Sequence, residues 1–149
     1  LGFPDNRMDT VPMLDIVQKL EQVVDDVQPE IIYTHHNGDL NIDHRITHQA
    51  ALTACRPVPG SPVREIYAFE VLSATEWNSP SASTFIPNVF VDISGHLETK
   101  INALAAYDLE MREPPHSRSI VNVKRLAELR GSCVGVSAAE AMMAVRVIC

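Results

Sequence analysis

A helical stripe of apolar residues that runs straight into a short apolar segment constrains this chain more than any other feature. Leu14, Val17, Leu20, Val24 and Val27 recur at helical spacing. They predict an amphipathic helix over 11–28, with Thr10 as its N-cap and Pro12 near the first turn. Pro29 ends it, and Glu30-Ile31-Ile32-Tyr33-Thr34 follows at once as a predicted buried strand. A second helix is expected from Asp43 to about Cys55, stopped by Pro57 and the Pro-Gly-Ser-Pro turn at 59–62. A helix feeding directly into a strand is half of a βαβ unit, the building block of a parallel sheet with helices packed on it.

Further strands are predicted over 65–72 and 88–93, separated by a Ser-, Thr- and Pro-rich loop at 73–87 that carries the only tryptophan, Trp77. Ser94 is read as the cap of a helix bearing Leu97, Ile101, Leu104 and Ala105, broken by Pro114-Pro115. A last helix is expected from about Ser119 to Arg130, with Gly131 as its stop. The apolar tail over 137–148 is expected to be helical over most of its length. There is no internal repeat and no low-complexity tract. The fold class is α/β with a parallel sheet, of which about half is expected in this chain.

At 149 residues the chain reads as one domain or part of one. Its 46% hydrophobic and 21% charged residues are an ordinary globular balance, not that of a disordered segment. A net charge of -7 argues against nucleic acid or an anionic membrane surface as the main partner. No apolar run approaches the roughly 18 residues of a membrane span, and no leader is visible. The three cysteines, Cys55, Cys133 and Cys149, form no CxxC and read as reduced thiols of a cytoplasmic protein. Leu1-Gly2-Phe3-Pro4-Asp5-Asn6 reads like the loop after a strand, so the chain is expected to begin inside a fold.

Chemistry concentrates at one place. Four of the six histidines, His35, His36, His44 and His48, fall just after the predicted strand. Imidazoles among carboxylates are the ligand set of a zinc or iron site. The carboxyl end of a parallel strand is where open α/β sheets bind their substrates. On the helix from Asp43, His44, His48, Ala51 and Cys55 share one face, which makes His44 and His48 a candidate ligand pair one turn apart. The plainer alternative for His48 is a polar residue at a packed helix surface. Strand alternation sends one of His35 and His36 toward the crevice and the other away, and His36 is favoured for the pocket. Asp39 is assigned to the Gly38-Asp39 turn rather than to a metal, and Asp43 on its own could be an ordinary helix N-cap.

The run from Leu1 to Arg7 and the segment Thr34-His35-His36-Asn37-Gly38-Asp39-Leu40-Asn41-Ile42-Asp43-His44-Arg45 resemble the PIG-L/LmbE-like N-acetylglucosaminyl deacetylases. The similarity continues through Glu70, Thr75-Glu76-Trp77, Pro115-His116-Ser117-Arg118-Ser119 and Ala139-Glu140-Ala141. The resemblance implies a Rossmann-like three-layer fold with a mostly parallel sheet. It also implies a zinc-dependent hydrolase that removes acetyl from an N-acetylated amino sugar or glycoconjugate. His44 would be the zinc ligand, Asp43 would orient its neighbours, and Asn41 would stand where many members have an oxyanion-steadying histidine. An amide can donate to an oxyanion but cannot supply a proton. His48 is not one of the family's zinc positions and returns to helix packing or to a supporting place behind the ligand. His36, Trp77, His116 and Arg118 become candidate substrate-binding residues, with Arg7 and Asp5 behind them.

The chain contains no His-Pro-Asp-Asp, the motif that supplies two of the family's three zinc ligands and its general base. The resemblance therefore implies an N-terminally truncated domain, missing its first strands and inactive by itself. No membrane span or nucleic-acid partner is expected, and homo-oligomerisation stays open. Three other readings compete: an amidase acting on a thiol-sugar conjugate, a non-catalytic domain that lost its metal site, and a metal-binding module built on His35, His36, His44 and His48.

Overall fold

The computed structural model describes residues 1–79 and 81–149, so residue 80 of the long loop lies outside the described residues. The chain divides into two compact units, Leu1–Ile86 with Met143–Cys149, and Pro87–Met142.

In the first unit a short 3-10 helix, Met8–Thr10, leads into α1 (Met13–Val27), β1 (Ile31–His35), α2 (Ile42–Ala54) and β2 (Glu65–Phe69). β1 and β2 are parallel, with Tyr33 opposite Tyr67 and His35 opposite Phe69. The β1–α2–β2 segment thus completes the βαβ unit expected from the helix-to-strand junction. α1 begins after Pro12, whose fixed φ suits a helix start, and ends at Gln28 in the left-handed conformation. Its buried residues are Ile16 and Val17, flanked by the half-buried Met13, Leu20 and Val24. Leu14 and Val27, expected on the buried stripe, are 63% and 65% exposed. The apolar face is rotated toward positions 13, 16, 17 and 20 because Ile16 and Val17 meet Ala50 of α2, with Ile46 packed against the same cluster.

β1 is not the fully buried strand its composition suggested. Thr34 is buried and Ile32 joins the cluster around Cys55, Val63 and Ile66, whereas Ile31 and Tyr33 are exposed. Strand alternation divides the run between two faces, and only one of them carries α1 and α2.

In the second unit, β3 (Val89–Asp92) is followed by α3 (Leu97–Ala105) and α4 (Ile120–Ser132), and Ile93, Ala127 and Ala138 form its core with Leu97 against it. Ser94 does not cap α3. Its hydroxyl bonds Asp92, and the helix starts three residues later, after His96. α3 also ends at Ala105, well before the proline pair. Ser119 does cap α4, accepting from the Asn122 backbone N–H.

The tail is the largest departure from expectation. Residues 139–147 form a strand, β4 (Ala139–Val147), antiparallel to β3 with Phe90 opposite Ala141. Alanine and methionine favour a helix locally, but strand pairing and burial override that preference. The strands are hydrogen-bonded in the order β1-β2-β4-β3, so the sheet is mixed at β3. No helix among the described residues is long and apolar enough to cross a membrane.

Gly131 is not a helix stop either. It lies buried inside α4, where a Cβ would meet the Val136 carbonyl oxygen at 2.6 Å and the Ala138 nitrogen at 2.7 Å. Both obstacles are backbone, which cannot swing aside. Gly131→Ala is therefore expected to lower stability by about 1–3 kcal/mol, seen as a lower urea midpoint at unchanged slope. An unchanged midpoint would refute the close approach.

Candidate functional site

β1 ends at His35, and residues 36–41 must turn the chain into α2. Gly38 makes that turn fit. A Cβ there would lie 2.1 Å from the Ser83 carbonyl oxygen and 2.6 Å from His36 Nε2. His36 is 1% exposed, its Nε2 donates to Ser83 O at 2.9 Å, and its ring meets Phe85 edge-on. The side chain favoured for the pocket is thus buried and tied to Ser83 and Phe85. The histidine that shares its surroundings with His44 is His35.

Asn41 begins α2. Its Oδ1 accepts from the Asp43 backbone N–H at 2.8 Å, so Asn41 and not Asp43 is the N-cap. With Oδ1 committed, the amide Nδ2 faces the other way and donates to Asn6 Oδ1 at 3.4 Å. Asp43 is 9% exposed and its carboxylate accepts from the Met8 N–H at 3.0 Å. It ties the N-terminal segment to the start of α2.

His44 sits one residue further, with its side chain 18% exposed. Its Nδ1 is 2.8 Å from Asp39 Oδ2, and Asp39 is fully buried. A carboxylate only accepts, so Nδ1 carries the proton and Nε2 keeps its lone pair. This carboxylate–imidazole arrangement is the one that orients metal-ligating histidines. The His35 ring stacks on that of His44, with centroids 4.1 Å apart, and lies tilted against Phe69 at 4.9 Å. Among the described residues His35 Nδ1 has no hydrogen-bond partner. Burial, reinforced by the neighbouring His44, lowers the His35 pKa to about 4 against the opposing pull of Asp39, so the ring is neutral at ordinary pH. His48 is also buried and its pKa is lowered by that burial. Its Nδ1 donates to the His35 carbonyl at 2.8 Å, tying α2 to the end of β1.

Trp77 lies 49% exposed in the long loop, beside Glu76, whose carboxylate accepts from the Ser73 N–H at 2.6 Å. His116 and Arg118 belong to the second unit. There the His116 Nδ1 accepts from the Arg118 backbone N–H at 3.0 Å, and the Arg118 guanidinium pairs with Glu110.

As a metal centre the first unit offers one donor with a supporting carboxylate. Among the described residues no group of three or more His, Cys, Asp or Glu side chains is placed to hold a metal ion. The donor chemistry of His44 fits zinc, while the three protein ligands of a catalytic zinc site are not brought together among the described residues. Sequence reasoning missed Asp39 and Thr75. Asp39 reads as a turn residue beside a glycine, and its role shows only when the turn folds back on His44. Thr75 Oγ1, 2.7 Å from Asp39 Oδ1, lies 36 positions further along the chain, beyond any local pattern.

The family model described as PIG-L, GlcNAc-PI de-N-acetylase, matches residues 1–55, a stretch that includes His44. The chain is 31% identical over 98 residues to the uncharacterized deacetylase YaiS of Escherichia coli (strain K12), an alignment covering 62% of this chain and 46% of that one. It thus spans about half the length of the curated relative it matches. Among solved structures, the conserved protein TT1542 of Thermus thermophilus superposes with a TM-score of 0.74 at 23% identity, covering 100% of this chain and 65% of that one. The N,N'-diacetylchitobiose deacetylase of Pyrococcus horikoshii, complexed with its inhibitor MPG, gives 0.72 at 16% identity, covering 98% and 56%. GalB, the 4-carboxy-2-hydroxymuconate hydratase of Pseudomonas putida KT2440, gives 0.68 at 22% identity, covering 91% and 60%. At such identities the structural likenesses establish the α/β fold.

Asp43→Ala removes the acceptor for a half-buried Met8 N–H. The expected cost is about 1–3 kcal/mol, with faster protease cleavage before residue 8. Unchanged unfolding and unchanged cleavage would show that Asp43 does not anchor this segment.

Proposed function

We propose that this chain, whose matches support a PIG-L/LmbE-like family, is part of a metal-dependent hydrolase that removes acetyl from an N-acetylated amino sugar or glycoconjugate. The observation that carries this reading is His44 held by the buried Asp39, with the Nδ1 proton fixed and Nε2 left as the donor. In this reading His44 holds zinc, and the remaining ligands and the general base come from residues outside this chain. Bound zinc would supply a Lewis acid and lower the pKa of its water.

The chain's own residues have separable tasks. His44 supplies one donor, and the neutral His35 ring stacked on it restricts its rotation. Asn41 is committed to the helix cap through Oδ1, so its amide N–H group is the part turned away from the helix. We assign that group to the oxyanion formed as water attacks the acetamide carbonyl, a role that needs a donor and no proton transfer. Asp43 holds the Met8 end of the N-terminal segment against this cap. Trp77, half exposed, offers an apolar face on which a sugar ring can stack. His116 and Arg118 remain candidate substrate residues on the family resemblance, and a cytoplasmic location is part of the same reading.

The fold by itself does not fix the reaction, as the hydratase among its neighbours illustrates. The test is acetate release from N-acetylglucosamine conjugates by the protein expressed from its full reading frame, before and after chelation. Zinc-restorable acetate release that falls to background in His44→Ala supports the reading. For Asn41→Ala, a fall in kcat of about 10²–10³-fold is expected, the range for one lost oxyanion donor. Acetate release that survives His44→Ala, or hydrolysis of a thiol-sugar amide without any acetyl substrate being cleaved, would overturn it.

A further inference from the structure

The hydrogen bonds around Asp39 continue past His44 in a fixed direction. The Val71 N–H donates to Thr75 Oγ1 at 2.8 Å. A hydroxyl has a single hydrogen, and that of Thr75 goes to Asp39 Oδ1 at 2.7 Å. The other carboxylate oxygen takes the His44 Nδ1 proton at 2.8 Å. Asp39 has no exposed surface, so solvent water cannot stand in for a lost donor. The turn that carries Thr75 is itself closed: Thr75 N–H and Ala74 N–H both donate to the Val71 carbonyl, and the Leu40 N–H donates to the Ala74 carbonyl at 2.9 Å. Trp77 follows two residues later.

We infer that Thr75 is a positioning residue: acting through Asp39, it decides which His44 nitrogen keeps the lone pair and so couples the 71–77 turn to that histidine. With the Thr75 hydroxyl in place both carboxylate oxygens have a donor and the carboxylate cannot rotate. Without it, Oδ1 is left buried and unpaired. The carboxylate then turns about its Cβ–Cγ bond, and the aligned bond to His44 Nδ1 weakens. With that bond out of line the ring is no longer held in one tautomer, and the Nε2–H form that a free neutral imidazole prefers competes with it. This rests on His44 as the metal-facing residue proposed above, but the proton's position can be read without any metal.

The experiment is nitrogen-15 NMR of the His44 ring in the metal-free protein from the full reading frame at pH about 8, above the ordinary histidine range. The native chain should show a protonated Nδ1 and a bare Nε2. Thr75→Val keeps the shape and removes the hydroxyl, and should give a mixture in which the Nε2–H form appears. Thr75→Ser keeps the hydroxyl and should restore the native pattern. Asp39→Asn places an amide N–H against Nδ1 and should give the Nε2–H form outright; it answers the question if Thr75→Val does not fold. In the protein from the full reading frame, Thr75→Val should weaken zinc binding about 10–100-fold, the usual cost of a lost supporting partner. A Thr75→Val chain that is less stable but keeps a purely Nδ1-protonated His44 would overturn the inference, as would an unchanged pattern in Asp39→Asn. A shifted ring proton with unchanged zinc affinity would uphold the positioning role and refute His44 as the ligand.

Discussion

A fully buried carboxylate is the constraint on which the site depends. Burying Asp39 costs several kcal/mol unless donors reach both of its oxygens. His44 and Thr75 do so from two separate segments. That requirement forces the turn after β1 to fold back toward the first turn of α2, and it draws the 71–75 turn in beside it. Gly38 is the geometric consequence, because the backbone passes too close to Ser83 and His36 for any Cβ. His36, also buried, binds the Ser83 carbonyl beside that glycine.

The secondary structure supplies the rigid frame for this arrangement. β1 is aligned by its parallel partner β2, α2 is fixed against α1 through Ala50, Ile16 and Val17, and the His48 bond to the His35 carbonyl joins the helix to the strand end. His35 and His44 therefore meet as stacked rings without either side chain choosing among rotamers at large entropic cost. Helix cap, strand end and turn each contribute one fixed point, and the donor nitrogen of His44 is what they fix.

The parts legible in the sequence were those with local periodicity or local chemistry. The α1–β1–α2–β2 order followed from apolar spacing and from Pro29 and Pro57. What failed had non-local causes. Leu14 and Val27 fit a helical stripe as well as Met13 and Ile16 do, and only the position of α2 decides between them. Ala139 to Val147 has helix-forming composition, and its strand state comes from pairing with β3, some 50 residues earlier. Asp39 looked like turn chemistry, which it also is, since its N–H donates to the His36 carbonyl.

In the proposed function His44 presents Nε2 as a metal donor because Asp39 holds Nδ1. The most direct measurement is anomalous diffraction at the zinc edge from crystals of the protein expressed from its full reading frame and grown with zinc. An ion is expected about 2.0–2.1 Å from His44 Nε2, with Asp39 still on Nδ1. An ion bound through His44 Nδ1, on His48, or away from His44 altogether would contradict it.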